Sequence, residues 1–343
     1  MTHPVRAALV GFGYAGRTFH APLIDACPEL RLEAVVSRQA EAVAEVWPDA
    51  RVLTSYDQAL ADPAIDLIVL ATPNDLHATQ AEAALNAGKA VVVDKPFTLT
   101  ADEARRLAAL ADTRGSMLSV FHNRRWDADF LTLQGLLAHD RLGPVVRFES
   151  RFNRWRPEVR DRWREGDGPG AGVWYDLGPH LIDQALVLFG RPLGVTCDLA
   201  VMRPGGKAVD YAHAVLRYAD KRVILHADMV TPAADARFVV HGARASWRKD
   251  VLDVQEDQLK SGLTPGVAGW GVDSRPGVVV DGATGAREIV TGLPGDYPAY
   301  YAAIAGAIRD GAPNPVPPHE AAAVMEVLEA GLISAERRAE VPL

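Results

Sequence analysis

Along the first 120 residues, short apolar runs alternate with longer stretches that mix apolar and polar residues at helical spacing. The apolar runs are Val5–Val10 (VRAALV), 32–36 (LEAVV), 67–71 (LIVLA), 90–93 (AVVV) and 117–120 (MLSV). Runs nearly continuous in Val, Ile, Leu and Ala predict strands of a parallel sheet covered on both faces. The segments 40–47 and 77–87 predict helices between them, the second ended by Gly88 as a C-terminal cap. Strand–helix alternation of this kind predicts a doubly wound α/β domain over residues 1–121.

Beyond residue 122 the pattern changes. After an amphipathic linking helix over 130–139 come β-like runs at 145–152, 194–202, 212–218, 222–229 and 238–241. Several are joined by short polar turns such as PGGK and ADKR, which predicts a large, mainly antiparallel open sheet in a second α/β domain, 122–343. Helices are expected at 180–189, 297–309 and 320–339. Residues 261–296, rich in Gly, Pro and Asp, read as extended loop or edge strand.

Composition narrows the function classes. A length of 343 residues suits two domains with a core each. Acidic residues outnumber basic ones 44 to 36, and the net charge of −8 argues against a nucleic-acid partner. Two cysteines are too few for a disulfide framework or a structural zinc site. The N-terminus shows no signal-peptide pattern, and no run approaches about 18 apolar residues. The expectation is a soluble, cytoplasmic, mildly acidic two-domain protein, with no membrane association and no metal.

The candidate chemistry begins at Gly11-Phe12-Gly13-Tyr14-Ala15-Gly16, a G-x-G-x-x-G between a predicted strand and a predicted helix. In that context Gly11 allows the tight turn, Gly13 lets the backbone approach a pyrophosphate, and Gly16 lets helix and strand pack closely. The alternative is an ordinary turn. About 20 residues on, where an acidic residue would bind the ribose diol of NAD, the chain carries Ser37-Arg38. A hydroxyl and a guanidinium suit a 2′-phosphate, so NADP is the expected cofactor and NAD the alternative. Lys95 follows the fourth apolar run, at the end of a strand where such sheets collect their functional groups. Pro96 biases it toward an extended conformation.

Farther along, Asp176 and His180 are four residues apart, with Pro179 placed for a helix's first turn. Hydride transfer to or from a secondary alcohol needs a proton acceptor near neutral pH and a cation for the developing alkoxide. His180 and Lys95 suit those roles, and Asp176 suits accepting from the substrate hydroxyl or orienting His180. A surface lysine, a helix N-cap and a structural histidine are the bland alternatives. Phe152, Arg154 and Arg156 alternate along a predicted strand, and Trp163 and Arg164 follow in a loop. Donors and apolar platforms of this kind suit a polyhydroxylated ring, although a charged sheet face or a subunit contact fits them equally.

The set GFGYAG, ATPNDLH (71–77), DKP (94–96) and YDLGPHLIDQ (175–184) resembles the Gfo/Idh/MocA oxidoreductases. HNRRWDADF (122–130) and GDYPAYYAAI (295–304) are similar to the branch containing the NADP-type scyllo-inositol dehydrogenase and YdgJ-like proteins. The resemblance implies a Rossmann domain followed by an α/β domain whose open sheet forms a homodimer or homotetramer contact. It also implies an NAD(P)-dependent reaction at a hydroxyl of a sugar or polyol. The family's motif lysine, aspartate and histidine fall on Lys95, Asp176 and His180. Thr72, Pro73, Asn74, His77, Asp94, Lys95, Pro96 and Asn123 would lie along the cofactor, and Tyr297 by the substrate. Asp94 departs from the family's glutamate at that place and shortens the carboxylate's reach by a methylene. Two other readings share the fold, a nucleotide-sensing regulator without turnover and a glycosidase or hydro-lyase that uses bound NAD transiently.

Overall fold

The structure, a computed structural model, describes residues 3–233 and 235–343. The early apolar runs become strands β1 (Val5–Val10), β2 (Leu30–Val36), β4 (Leu67–Leu70), β5 (Ala90–Val93) and β6 (Leu118–Val120). A sixth strand, β3 (Arg51–Leu53), joins them at the edge, unpredicted because it is three residues long and buries none of them. Among the described residues the order is β3-β2-β1-β4-β5-β6 with every pairing parallel, the order of a dinucleotide-binding sheet. Ala7, Ala8, Leu9, Ile68, Val69, Val91 and Val92 are wholly buried, as a sheet covered on both faces requires.

The connecting helices are α1 (Ala21–Asp25), α2 (Ala40–Val46), α3 (Tyr56–Ala61), α4 (His77–Asn86) and α5 (Ala101–Arg114). Their ends follow local chemistry. Ser55 with Gln58, and Thr100 with Glu103, form capping boxes, and Gly88 follows α4 at φ +73°.

Contacts divide the chain into two units, but not by one cut at 121/122. The first unit holds residues 1–126, 255–270 and 296–322, and the second holds 127–254, 271–295 and 323–343. The first therefore takes in α8 (Gln255–Lys260) and α9 (Pro298–Asp310). In α9, Tyr300, Tyr301, Ile304 and Ala305 are buried; both tyrosines pack with Phe121, and Tyr301 also meets His20. The sequence places those aromatics 180 residues from the sheet they complete, beyond the reach of a local pattern.

Among the described residues, the second unit is built on nine strands: β7 (Val145–Asn153), β8 (Gly194–Ala200), β9 (Tyr211–Arg217), β10 (Arg222–Asp228), β11 (Phe238–Gly242), β12 (Ala245–Lys249), β13 (Gly277–Asp281), β14 (Arg287–Val290) and β15 (Val341–Pro342). Their order is β14-β13-β12-β11-β7-β10-β9-β8-β15, antiparallel except where β7 meets β10. The tract 261–296 thus supplies β13 and the edge strand β14, joined by a turn with Gly285 at φ +71°. Helices α6 (Ala128–Ala138), α7 (Val173–Phe189) and α10 (Pro318–Arg337) complete the fold, the last crossing from the first unit's residues into the second's. Trp174 of α7 is buried and donates its indole N–H to Leu328 O of α10 at 3.0 Å. Among the described residues, no helix is long and apolar enough to cross a membrane.

Candidate active-site residues

The glycine loop lies at the C-terminal end of β1. Gly11 has φ +100°, and a Cβ there would stand 2.7 Å from Ala71 O. A Cβ on Gly16 would stand 2.1 Å from Gly11 O, so only glycine lets the turn close on itself. Gly13 differs from both, because a Cβ there would meet nothing within 4 Å. The loop is therefore closed by Gly11 and Gly16 and left open at Gly13, the shape a backbone needs to receive a pyrophosphate.

A π turn, Gly16–His20, follows and leads into α1, with the Arg17 N–H donating to Gly13 O at 3.0 Å. The amides ahead of Arg17 are those that helix geometry leaves without an intrahelical acceptor, where an anion is favoured. Phe12 is buried, Ala15 is half-buried, and Tyr14 is exposed over half its surface.

After β2, the Ser37 N–H donates to Leu53 O, and its Oγ accepts the Gln39 N–H at 2.9 Å. Arg38 is exposed, and its guanidinium has no ion-pair partner among the described residues. After β4, Thr72 donates to Gln80 Oε1 at 2.7 Å, Pro73 is exposed and Asn74 is buried. His77 sits between two loops, with Nδ1 2.8 Å from Pro96 O and Nε2 3.0 Å from Thr72 O. That placement ties the β4 loop to the β5 loop.

After β5, Asp94 is buried and Lys95 half-buried, and the Lys95–Pro96 peptide is cis. Burial pushes the Asp94 carboxyl up. His20, Lys95 and His77 outweigh it and hold the group below its ordinary value. Asn123 is buried in the short helical turn Asn123–Trp126 that follows β6.

Two neighbours of this cluster, His20 and Glu256, escaped the sequence reading. His20 is wholly buried, with Nδ1 2.6 Å from the Tyr301 hydroxyl and Nε2 3.6 Å from Asp94 Oδ1. Its signal was a histidine four residues after Gly16, one helical turn along. Glu256 of α8 accepts from Tyr14 and from Arg124, each at 2.8 Å. No local signal marks that pair, since 242 residues separate Glu256 from Tyr14.

In the second unit, α7 starts at Val173, three residues before the expected turn at Asp176. Gly172 is its N-cap residue at φ +90°, where a Cβ would stand 2.9 Å from Val209 O. Pro179 therefore lies inside the helix rather than in its first turn, and it has no N–H to give to the Tyr175 carbonyl. Asp176 is not the N-cap, which removes the bland account of that residue. Asp176 and His180 still share a face, one turn apart.

Arg154 and Arg164 approach the two Asp176 carboxylate oxygens from different segments, each at 3.6 Å. The Phe152 ring stacks near His180, with centroids 6.5 Å apart and planes at 23°. Arg154 lies 4.8 Å over the Phe152 ring, and Arg164 lies 5.1 Å over the exposed Trp163. β7 ends at Asn153, but the N–H groups of Arg154 and Arg156 donate to Asp228 O and Met229 O at 2.9 Å, continuing the extended path. Arg156 is half-buried. Burial, then Arg154, Arg162 and Arg160, lower its pKa against the pull of Asp176.

The structure thus gathers Phe152, Arg154, Trp163 and Arg164 with Asp176 and His180. Tyr297 belongs to the first unit, where it is wholly buried beside Phe19.

Comparison with known proteins covers the whole chain. Residues 5–122 match the family described as "Oxidoreductase family, NAD-binding Rossmann fold", and residues 134–343 match its "C-terminal alpha/beta domain". The uncharacterized oxidoreductase YdgJ of Escherichia coli is 52% identical over 345 residues, covering 100% of both chains. The scyllo-inositol 2-dehydrogenase (NADP(+)) IolW of Bacillus subtilis is 37% identical, covering 99% of this chain and 96% of that protein. Among solved structures, an oxidoreductase from Bacillus cereus aligns at 30% identity with a TM-score of 0.90, covering 99% of this chain and 98% of its own.

Proposed function

The chain belongs to the Gfo/Idh/MocA family of NAD(P)-dependent oxidoreductases, and on that premise we propose that it oxidises or reduces a secondary alcohol or ketone of a sugar or cyclitol. A scyllo-inositol-like polyol is the leading substrate. A bound nicotinamide would carry the hydride. The single observation that carries the reading is the Gly11–Gly16 loop, closed by two glycines and open at the third.

In this proposal the Gly13–Gly16 turn binds the pyrophosphate through its amides. His180 takes the proton from the substrate hydroxyl, or returns it in the reverse direction. Lys95 supplies the cation that favours the alkoxide at that oxygen. Asp176, set between two guanidiniums, orients His180, and the exposed Trp163 offers an apolar face to a ring, whereas Phe152 is buried and backs the His180 imidazole instead. Asn74, Asp94 and Asn123 line the cofactor side.

We further propose NADP over NAD. Ser37 and Arg38 place a hydroxyl and an unpaired guanidinium where a carboxylate would repel a 2′-phosphate. The relative named for NADP(+) agrees. The open nine-stranded sheet is the proposed contact of a homodimer or homotetramer.

Titration with NADPH and NADH, read by nucleotide fluorescence, tests the cofactor. Binding of neither sinks the reading. A panel of polyols and ketoses with both coenzymes then tests the substrate class. Lys95→Ala and His180→Ala should each lower turnover by about 100-fold or more. Retained activity in either refutes that residue's role.

A further inference from the structure

Tyr14 occupies the position after Gly13, where the helix begins, and its N–H belongs to the anion-facing turn. Its side chain is half exposed, so burial does not fix it. Two contacts do. The ring meets Phe19 edge-on, with centroids 6.0 Å apart and planes at 76°. At the far end, the hydroxyl donates to Glu256 Oε1 at 2.8 Å.

Glu256 in turn is held from three sides, by Tyr14, by Arg124 at 2.8 Å and by Lys260 at 3.0 Å. Its helix is pinned independently. Gln255 donates to Trp126 O at 3.0 Å and accepts the Tyr297 N–H at 2.7 Å. Burial alone would push the Glu256 carboxyl up, but Arg124, Lys260 and Tyr14 hold it down at about 2. The acceptor is therefore a full carboxylate across any working pH, and a hydroxyl donating to it makes a charge-assisted bond. The two cations leave little of that negative charge to face an incoming phosphate.

We propose that Glu256 is a positioning residue for dinucleotide binding, holding the Tyr14 hydroxyl and with it the Gly13–Gly16 turn in the shape that receives phosphate. A glycine-rich turn has little side-chain packing of its own, so it must be ordered either before binding or at the expense of affinity. Glu256 orders it beforehand, from a segment that lies outside the nucleotide-binding stretch of sequence. The proposal rests on reading the glycine loop as the dinucleotide site.

The test is a double-mutant cycle on the full chain, with NADPH and NADH titrated by fluorescence and melting temperatures read with and without nucleotide. Tyr14→Phe keeps the ring and removes the donor, and should raise the nucleotide Kd by about tenfold while leaving the free protein's melting temperature nearly unchanged. In a Glu256→Ala background the same change should add less than about twofold, because its partner is already gone. Glu256→Gln retains an acceptor oxygen and should stay within about threefold of the wild type. An unchanged Kd in Tyr14→Phe overturns the proposal, as do equal penalties in both backgrounds. So do losses of stability that are the same with and without nucleotide. A wild type that binds neither nucleotide overturns the glycine-loop reading as well, which separates the two failures.

Discussion

At the scale of single residues, Gly13 is the sharpest discriminator of what the first loop is for. Gly11 and Gly16 are required by the fold itself, but a methyl group at 13 would meet no protein atom within 4 Å. Gly13→Ala should therefore fold with a melting temperature close to the wild type and bind nucleotide at least about tenfold more weakly, by fluorescence titration. Nucleotide binding unchanged by the methyl would remove the loop from the cofactor site. Glu256 yields a pH dependence. Its folded-state pKa, about 2, lies below the ordinary 4.5, so the ionised form is the one that stabilises. Its contribution is complete above about pH 4.5 and disappears as the pH falls toward 2. The melting-temperature advantage of wild type over Glu256→Gln should shrink across that interval. An advantage independent of pH would refute the sign. Gly11, Lys95 and Asp176 were legible as candidates because their chemistry is local in sequence. Glu256 was not, because Tyr14 and Arg124 reach it from segments more than 130 residues away.

At the scale of elements, α7 and α10 show how packing decides against propensity. Alanine is favoured over glycine in a helix by about 1 kcal/mol. At Gly331 in α10, however, a Cβ would stand 2.7 Å from Trp174 Cζ2. That indole cannot retreat easily, being buried and bonded to Leu328 O. Overpacking of this kind costs about 1–3 kcal/mol, so Gly331→Ala should lower stability by about 1 kcal/mol or more in urea unfolding. A gain in stability would show that Trp174 has room. The strands rich in Val, Ile and Leu were readable because a doubly covered sheet leaves no other composition. β3 was not, since its edge position needs no apolar signal. The start of α7 was misplaced because Pro179 was read as a first-turn proline, whereas Gly172 at φ +90° marks the true boundary.

For the whole molecule, the decisive property is that the first unit is assembled from three separated pieces of chain. A fragment cut at residue 121 would lack α9 and its two wholly buried tyrosines. Each such ring buries about 150–250 Å². At about 25 cal/mol per Å², the pair supplies about 8–12 kcal/mol, comparable to the entire stability of a domain. Residues 1–121 alone should therefore lack a cooperative melt and show a flat near-ultraviolet circular dichroism spectrum. A sharp transition in that fragment would mean that the sheet and its own helices suffice. The same interleaving bears on how the protein comes into being. A ribosome that has released the glycine loop, the sheet and Lys95 still has nearly two hundred residues to translate before Tyr300 and Tyr301 emerge to pack on Phe121, and Tyr301 on His20. The nucleotide half of the enzyme, first in the message, is thus among the last parts to finish, and until then the apolar surface that those tyrosines cover stays open.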